Sequence, residues 1–128
     1  MTNSSHFATF KAYQSAWRSN ISSDERQRRL EASVAEDCAY CDPAFECRGY
    51  AELLVKMDHS KQHFPCATFQ VDSFFEHHAQ AIANWTMFDG KGVEFVKGTS
   101  HIRFGEDGRL THTTGFFEPP AKAFEAGA

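Results

Sequence analysis

Residues Val71 to Glu118 read VDSFFEHHAQAIANWTMFDGKGVEFVKGTSHIRFGEDGRLTHTTGFFE. Two turn signals, Asp89-Gly90-Lys91-Gly92 and Gly105-Glu106-Asp107-Gly108-Arg109, cut this stretch into runs of alternating apolar and polar residues. Turns of this kind need positive φ at their centre, which Gly and Asp tolerate, so they mark hairpins. A third reversal is expected around His77-His78-Ala79. The stretch therefore predicts an antiparallel meander of four strands, each long enough to curl.

The chain before the meander reads mainly as helical cover for one sheet face. Phe7, Phe10, Tyr13 or Gln14, Trp17 and Ile21 recur at helical steps and predict an amphipathic helix from Ser4 to Asn20. Ser22-x-x-Glu25 is a capping-box pattern opening a second helix, with Asp24 and Glu25 where the helix dipole favours negative charge. Leu30 and Val34 form its buried stripe, Arg26 lies at the stripe's edge, and the helix should end near Glu36. Asp37 to Asp42 reads as a short strand stopped by Asp42-Pro43. A loop through Arg48-Gly49 leads to a third helix from Tyr50 to Gln62, with Leu53, Leu54 and Met57 inward. The Ala-rich tail from Pro119 is expected to fray.

The whole, residues 1–128, reads as one α+β domain with its helices segregated onto an antiparallel sheet. The totals agree: 41% hydrophobic residues with 13 Phe supply an aromatic interior. The net charge of −4, with 13 basic residues that form no stripe, gives no footprint for nucleic acid. No apolar run reaches the ~18 residues of a membrane span. The N-terminus has neither a basic start nor an apolar stretch, so a cytoplasmic protein is expected. Cys38 and Cys41 make a C-x-x-C, but a structural zinc site wants a second pair, and on a strand the two sulfurs point to opposite faces. Buried, reduced thiols are expected, and no metal or other cofactor.

Strand parity nominates the interior. Between Val93 and Phe104, Val96, Gly98, Ser100, Ile102 and Phe104 should face inward, with Lys97, Thr99, His101 and Arg103 outward. On the preceding strand Ala81, Ala83, Trp85 and Met87 are the inward set. Small residues beside one Trp leave space for a ligand, or else belong to a packed core.

Trp17, Asp37-Cys-Ala-Tyr40-Cys-Asp42-Pro43, Arg48-Gly49, His77-His78, Ala83 with Trp85, Gly98-Thr99-Ser100, Asp107-Gly108-Arg109-Leu110 and Gly115-Phe116-Phe117 occur in an order with a counterpart. From about Phe7 to Glu118 the chain resembles the nuclear transport factor 2-like superfamily, in its SnoaL-like polyketide cyclase and ketosteroid isomerase-like branch. The resemblance implies a cystatin-like fold: a curved antiparallel sheet wrapped into a cone by three N-terminal helices. It also implies a homodimer through the outer sheet face. Such a fold hosts isomerases, cyclases, dehydratases and non-catalytic proteins, so the residues must carry the functional argument. Related enzymes often place a carboxylate where Ser100 stands, and this chain departs there.

Asp42 is the best remaining carboxylate. Tyr40, two before it, shares its strand face, so a base and a hydrogen-bond donor would meet at an apolar pocket. The alternative is a turn residue that accepts backbone N–H groups before Pro43. His77 and His78 could pass protons at a pocket rim, at most one of them facing inward (His77 on Trp85's face if parity holds through the turn, His78 if a bulge intervenes), or simply sit exposed at a hairpin end. Tyr13, Trp17, Ala83, Trp85, Ser100 and Phe116 complete the expected lining for a small hydrophobic ligand. Cofactor-free proton transfer (isomerisation, cyclisation or dehydration) is the expected chemistry, and a non-catalytic ligand-binding or dimeric module is the rival.

Overall fold

The expected hairpins are all present. The structure, a computed structural model, describes residues 4–117, with the side chains of Ser4 and His63 excepted; the tail from Pro119 lies outside the described residues. The elements run α1 (Ser4–Ser15), α2 (Ser23–Ser33), β1 (Val34–Cys41), β2 (Glu46–Arg48), α3 (Tyr50–His63), β3 (Thr68–His77), β4 (Gln80–Phe88), β5 (Glu94–Phe104) and β6 (Leu110–Phe117). One six-stranded sheet has the order β2-β1-β6-β5-β4-β3 and is not closed. Every neighbouring pair is antiparallel except β1 and β6, which run parallel.

Side-chain chemistry fixes the turns. The Asp89 carboxylate accepts the N–H groups of Lys91 and Val93 at 2.8 and 2.9 Å while Gly92 supplies φ +80°. Gly108, at φ +86°, does the same after Asp107. The β3–β4 turn uses neither Gly nor Asn: His78 and Ala79 hold φ of 51° and 59°. Two left-handed residues in a two-residue hairpin form a type I′ turn, which costs an L-residue with a Cβ about 1 kcal/mol. Ala79→Gly should therefore raise the thermal midpoint by relieving part of that strain; an unchanged or lower midpoint would show that the turn is not strained.

Ser22 caps α2, its Oγ accepting the Glu25 N–H at 3.1 Å. That helix stops at Ser33 rather than near Glu36, because Val34 already pairs with Leu110 as the first residue of β1. α1 likewise ends at Ser15, five residues short of Asn20. Tight turns follow, with the N–H groups of Ala16, Trp17 and Arg18 bonded to the carbonyls of Tyr13, Gln14 and Ser15 at 3.0, 3.1 and 3.3 Å. Trp17 thus projects inward from a turn, which is why its apolar periodicity outruns the helix. The core lies between the helices and one sheet face, around Phe10, Leu30, Leu53, Met57, Ile102 and Leu110, all essentially buried.

Candidate ligand site

The inner sheet face carries a transverse row of small residues. Ala83 is opposite Ser100, and Ser100 is opposite Gly115. A Cβ built on Gly115 would meet that of Asp42 at 3.8 Å, an ordinary contact, so Asp42, the residue after β1, closes the row. On one side the Trp85 indole lies across Gly98, where an added Cβ would come within 2.4 Å of the ring. Only glycine admits that approach. The indole Nε1–H donates to Ser100 Oγ at 3.0 Å, and Phe117 and Phe69 flank the ring at 5.7 and 5.9 Å.

On the other side, polar groups converge from α1, β1 and β6. Tyr13, Tyr40, Asp42 and Thr113 are all buried, Tyr40 and Asp42 at 8% exposure each. The Tyr40 hydroxyl donates to Asp42 Oδ2. Asp42 Oδ1 accepts the N–H groups of Ala44 and Phe45 at 2.8 and 3.1 Å, which folds the loop after β1. Asp42 is therefore both the partner of Tyr40 and the turn residue. Trp17 and Phe45 cover Tyr40 from either side, with ring centroids 5.7 and 5.8 Å away.

Burial holds the protons in place. It pushes the Tyr40 phenol well above its ordinary value, and the neighbouring Tyr13 and Asp42 push the same way. Tyr13 is raised too, chiefly by burial, with Trp17 and Thr113 pulling partly back. The Cys38 thiol is pushed up to about 12, again chiefly by burial. Each raised group stabilises the fold fully below its unfolded value of 9.0 for the thiol or 10.0 for the phenols. Above those values the unfolded chain ionises first, so stability should fall as pH rises from 9 toward 12. Thermal midpoints measured between pH 8 and 11 should fall progressively over the upper part of that range, and less steeply in Tyr40→Phe. Equal slopes would mean that Tyr40 ionises as freely in the folded chain as in the unfolded one.

Two expected site groups are not here. His77 pairs with Gln80 across a two-residue turn, so odd positions of β3 near the turn share the face of even positions of β4. His77 therefore faces away from Trp85 and His78 occupies the turn; both are exposed, their Nδ1 atoms 3.0 Å apart. Phe116 is 59% exposed on the outer face. Arg103 pairs with His112 but Phe104 with Leu110, so Thr111 bulges and reverses the parity of β6. Phe117 takes the inward place instead. Thr113, inward for the same reason, was not nominated by the sequence.

All four cysteines are free, but of the thiols expected to be buried only Cys38 is: Cys41, on the opposite face of β1, and Cys47 are partly exposed, and Cys66 is exposed. Among the described residues no three metal-ligating side chains come together, and no helix is long and apolar enough to cross a membrane. The Arg48 guanidinium donates to the backbone carbonyl of Asp37 at 3.0 Å.

A separate cleft of about 430 Å³ opens on the other side of α1, between it and β3. Phe7, Phe69 and Val71 line it with Lys11, Gln14 and Arg18. None of the site residues nominated by the sequence borders it.

The SnoaL-like domain profile matches residues 11–113. A proposed isomerase of the SnoaL-like family from Agrobacterium tumefaciens superposes with a TM-score of 0.82 at 20% identity, over 91% of this chain and 99% of that one. A protein of unknown function with a cystatin-like fold from Methylobium petroleophilum gives 0.72 at 12% identity, over 94% and 80%. A proposed ketosteroid isomerase from Kribbella flavida gives 0.66 at 19%, over 91% and 83%. At these identities the likeness is one of fold. No curated protein matches the sequence.

Proposed function

Because the chain belongs to the SnoaL-like domain family, we propose that it is a small-molecule pocket protein that moves a proton on a small hydrophobic carbonyl compound, with Tyr40 and Asp42 as its acid–base pair. The supporting observation is that pair itself, a carboxylate and a phenol hydrogen-bonded to each other inside an apolar interior. Asp42 is tethered through Oδ1 by two backbone N–H groups, whereas among the described residues Oδ2 holds only the Tyr40 hydroxyl. A substrate carbonyl oxygen that accepts the Tyr40 proton donor frees Oδ2. Oδ2 then takes a proton from the carbon beside the carbonyl, and the electron pair of that C–H bond moves onto the carbonyl oxygen. Tyr40 holds the enolate so formed, and its own proton stays on the phenol because burial keeps its affinity for protons high. Return of the proton to another carbon is an isomerisation; expulsion of a β-hydroxyl is a dehydration; attack on a second carbonyl is a cyclisation. The scheme requires no cofactor. Ala83, Ser100 and Gly115 leave room for the apolar body, with the Ser100 hydroxyl a further polar contact.

The second reading is a ligand-binding module without turnover. It is favoured by the three hydrogen bonds that Asp42 already accepts within the fold. Deuterium exchange separates the two. In D2O with a panel of unsaturated ketones and 1,3-dicarbonyl compounds, the first reading expects loss of the α-proton signals faster than without protein. Ligands that bind, yet exchange no faster than in buffer, would establish the second.

Homodimerisation through the outer sheet face belongs to the same reading. Phe75 and Ile82, direct cross-strand partners, stand 65% and 36% exposed there, with Phe116 two strands away from Ile82. Such a patch on a sheet fits a second copy of itself. Light scattering at micromolar concentration should give twice the 14.5 kDa chain mass, and a Phe75→Lys, Ile82→Lys double substitution should give the chain mass. A monomeric parent would end the pairing proposal.

A further inference from the structure

We propose that the cleft between α1 and β3 is a second binding site, for a small organic acid whose apolar body carries a carboxylate. Its volume of about 430 Å³ is within the usual range for small-molecule pockets. The strongest sign is Gln14. The residue is 9% exposed, it lines the cleft, and its side-chain amide has no hydrogen-bond partner among the described residues. Its amide atoms are not sealed from solvent, so a ligand in the cleft can reach them. Phe7, Phe69 and Val71, all partly buried, supply the apolar surface.

Charge selects the ligand. Lys11 and Arg18 are exposed at the rim, and neither has a carboxylate within ion-pair distance among the described residues, in a chain of net charge −4. Two cations without a carboxylate partner, Lys11 with its Nζ 5.3 Å from the Phe7 ring centroid, stand beside that amide over an apolar floor and complement an anion with a hydrophobic body. A guanidinium takes a carboxylate through two parallel N–H bonds, a geometry an ammonium lacks, so Arg18 is the carboxylate's partner and Lys11 adds charge. This site is independent of the acid–base reading. Tyr13 and Gln14 are consecutive on α1, about 100° apart around its axis, so one faces Tyr40 and the other the cleft.

The test is an NMR titration of the full chain with 4-phenylbutyrate, using 4-phenyl-1-butanol as the uncharged counterpart. The expected shifts map to backbone amides of residues 7–18 and 69–71, and the acid binds at least tenfold more tightly than the alcohol. The double substitution Lys11→Gln, Arg18→Gln alters only exposed side chains and should reduce the acid to the alcohol's affinity. Gln14→Leu should also weaken the acid while the thermal midpoint is kept or raised. Asp42→Asn should leave this titration unchanged, so that failure of one site is distinguishable from failure of the other. No shifts up to the solubility limit, shifts centred on Tyr40 and Ser100, equal affinity for acid and alcohol, or indifference to the double substitution would each overturn the proposal.

Discussion

Arg26→Ala should lower the unfolding free energy by about 3 kcal/mol, and the thermal midpoint by about 10 °C. The Arg26 side chain is buried at 5% exposure. Its Nη1 donates to the carbonyls of Ala16 and Arg18 at 2.6 and 2.7 Å, and Nη2 reaches Ile21 O at 3.5 Å. These oxygens belong to the segment just after α1 stops, where helical carbonyls run out of N–H partners. The alanine variant strands them, Ala16 being fully buried, and removes charged hydrogen bonds that are each worth more than neutral ones. Arg26→Lys should recover only part of the loss, since an ammonium cannot reproduce the guanidinium fork. A loss below about 0.5 kcal/mol in the alanine variant would mean that water replaces the guanidinium without cost.

The same substitution should be felt at the proposed ligand site. Ala16 and Arg18 flank Trp17, so Arg26 holds the backbone on both sides of the ring that covers Tyr40. Weaker near-ultraviolet circular dichroism from the tryptophans, at temperatures where the variant remains folded, is the expected accompaniment.

Arg26 also shows where sequence reading stops. Its place at the edge of the α2 stripe was legible from periodicity, but its acceptors are backbone carbonyls that exist only because α1 ends at Ser15. That ending was hidden because Trp17 keeps the helical spacing while projecting from a turn. The hairpins at Asp89–Gly92 and Gly105–Arg109 were legible because positive φ demands particular residues. The parallel pairing of β1 with β6 was not, since two distant strands carry no local mark of their register. Parity gave the inward sets of β4 and β5 correctly, because no irregularity interrupts either strand between residues 81 and 87 or between 96 and 104. It did not carry to His77 across the turn, and Phe116 faces outward, for one common reason. A two-residue turn and a bulge each shift the inward positions from odd to even or back, and neither leaves a signature in the alternation itself. Tyr40 and Asp42 came together because a spacing of two on a strand is the shortest and most robust of these rules. The amide of Gln14 had no such rule, since which side of α1 is packed and which is cleft depends on how far β3 stands from it.

Asp42→Asn is expected to cost little stability and most of any proton-transfer activity, whereas Asp42→Ala should cost both. Asparagine keeps an Oδ1 that can accept the Ala44 and Phe45 N–H groups, as Asn does in turns of this kind. Its Nδ2 replaces the oxygen that now accepts from Tyr40, and the phenol can rotate to accept instead. A loss of about 1 kcal/mol or less should follow. Alanine releases both loop N–H groups and leaves the Tyr40 hydroxyl buried without an acceptor, for a loss of about 2–3 kcal/mol. An amide cannot take a proton from carbon, and a positioned general base is worth about a thousandfold, so the asparagine variant should lose α-proton exchange by about that factor. Its ligand affinity should change far less, because Ala83, Ser100, Trp85 and Gly115 are untouched. The two measurements are read together. Exchange that survives in a well-folded Asp42→Asn protein removes Asp42 from the chemistry and leaves it as the residue that folds the loop after β1. Destabilisation by asparagine as large as by alanine would instead mean that the carboxylate charge, and not its shape, holds Tyr40 in the interior.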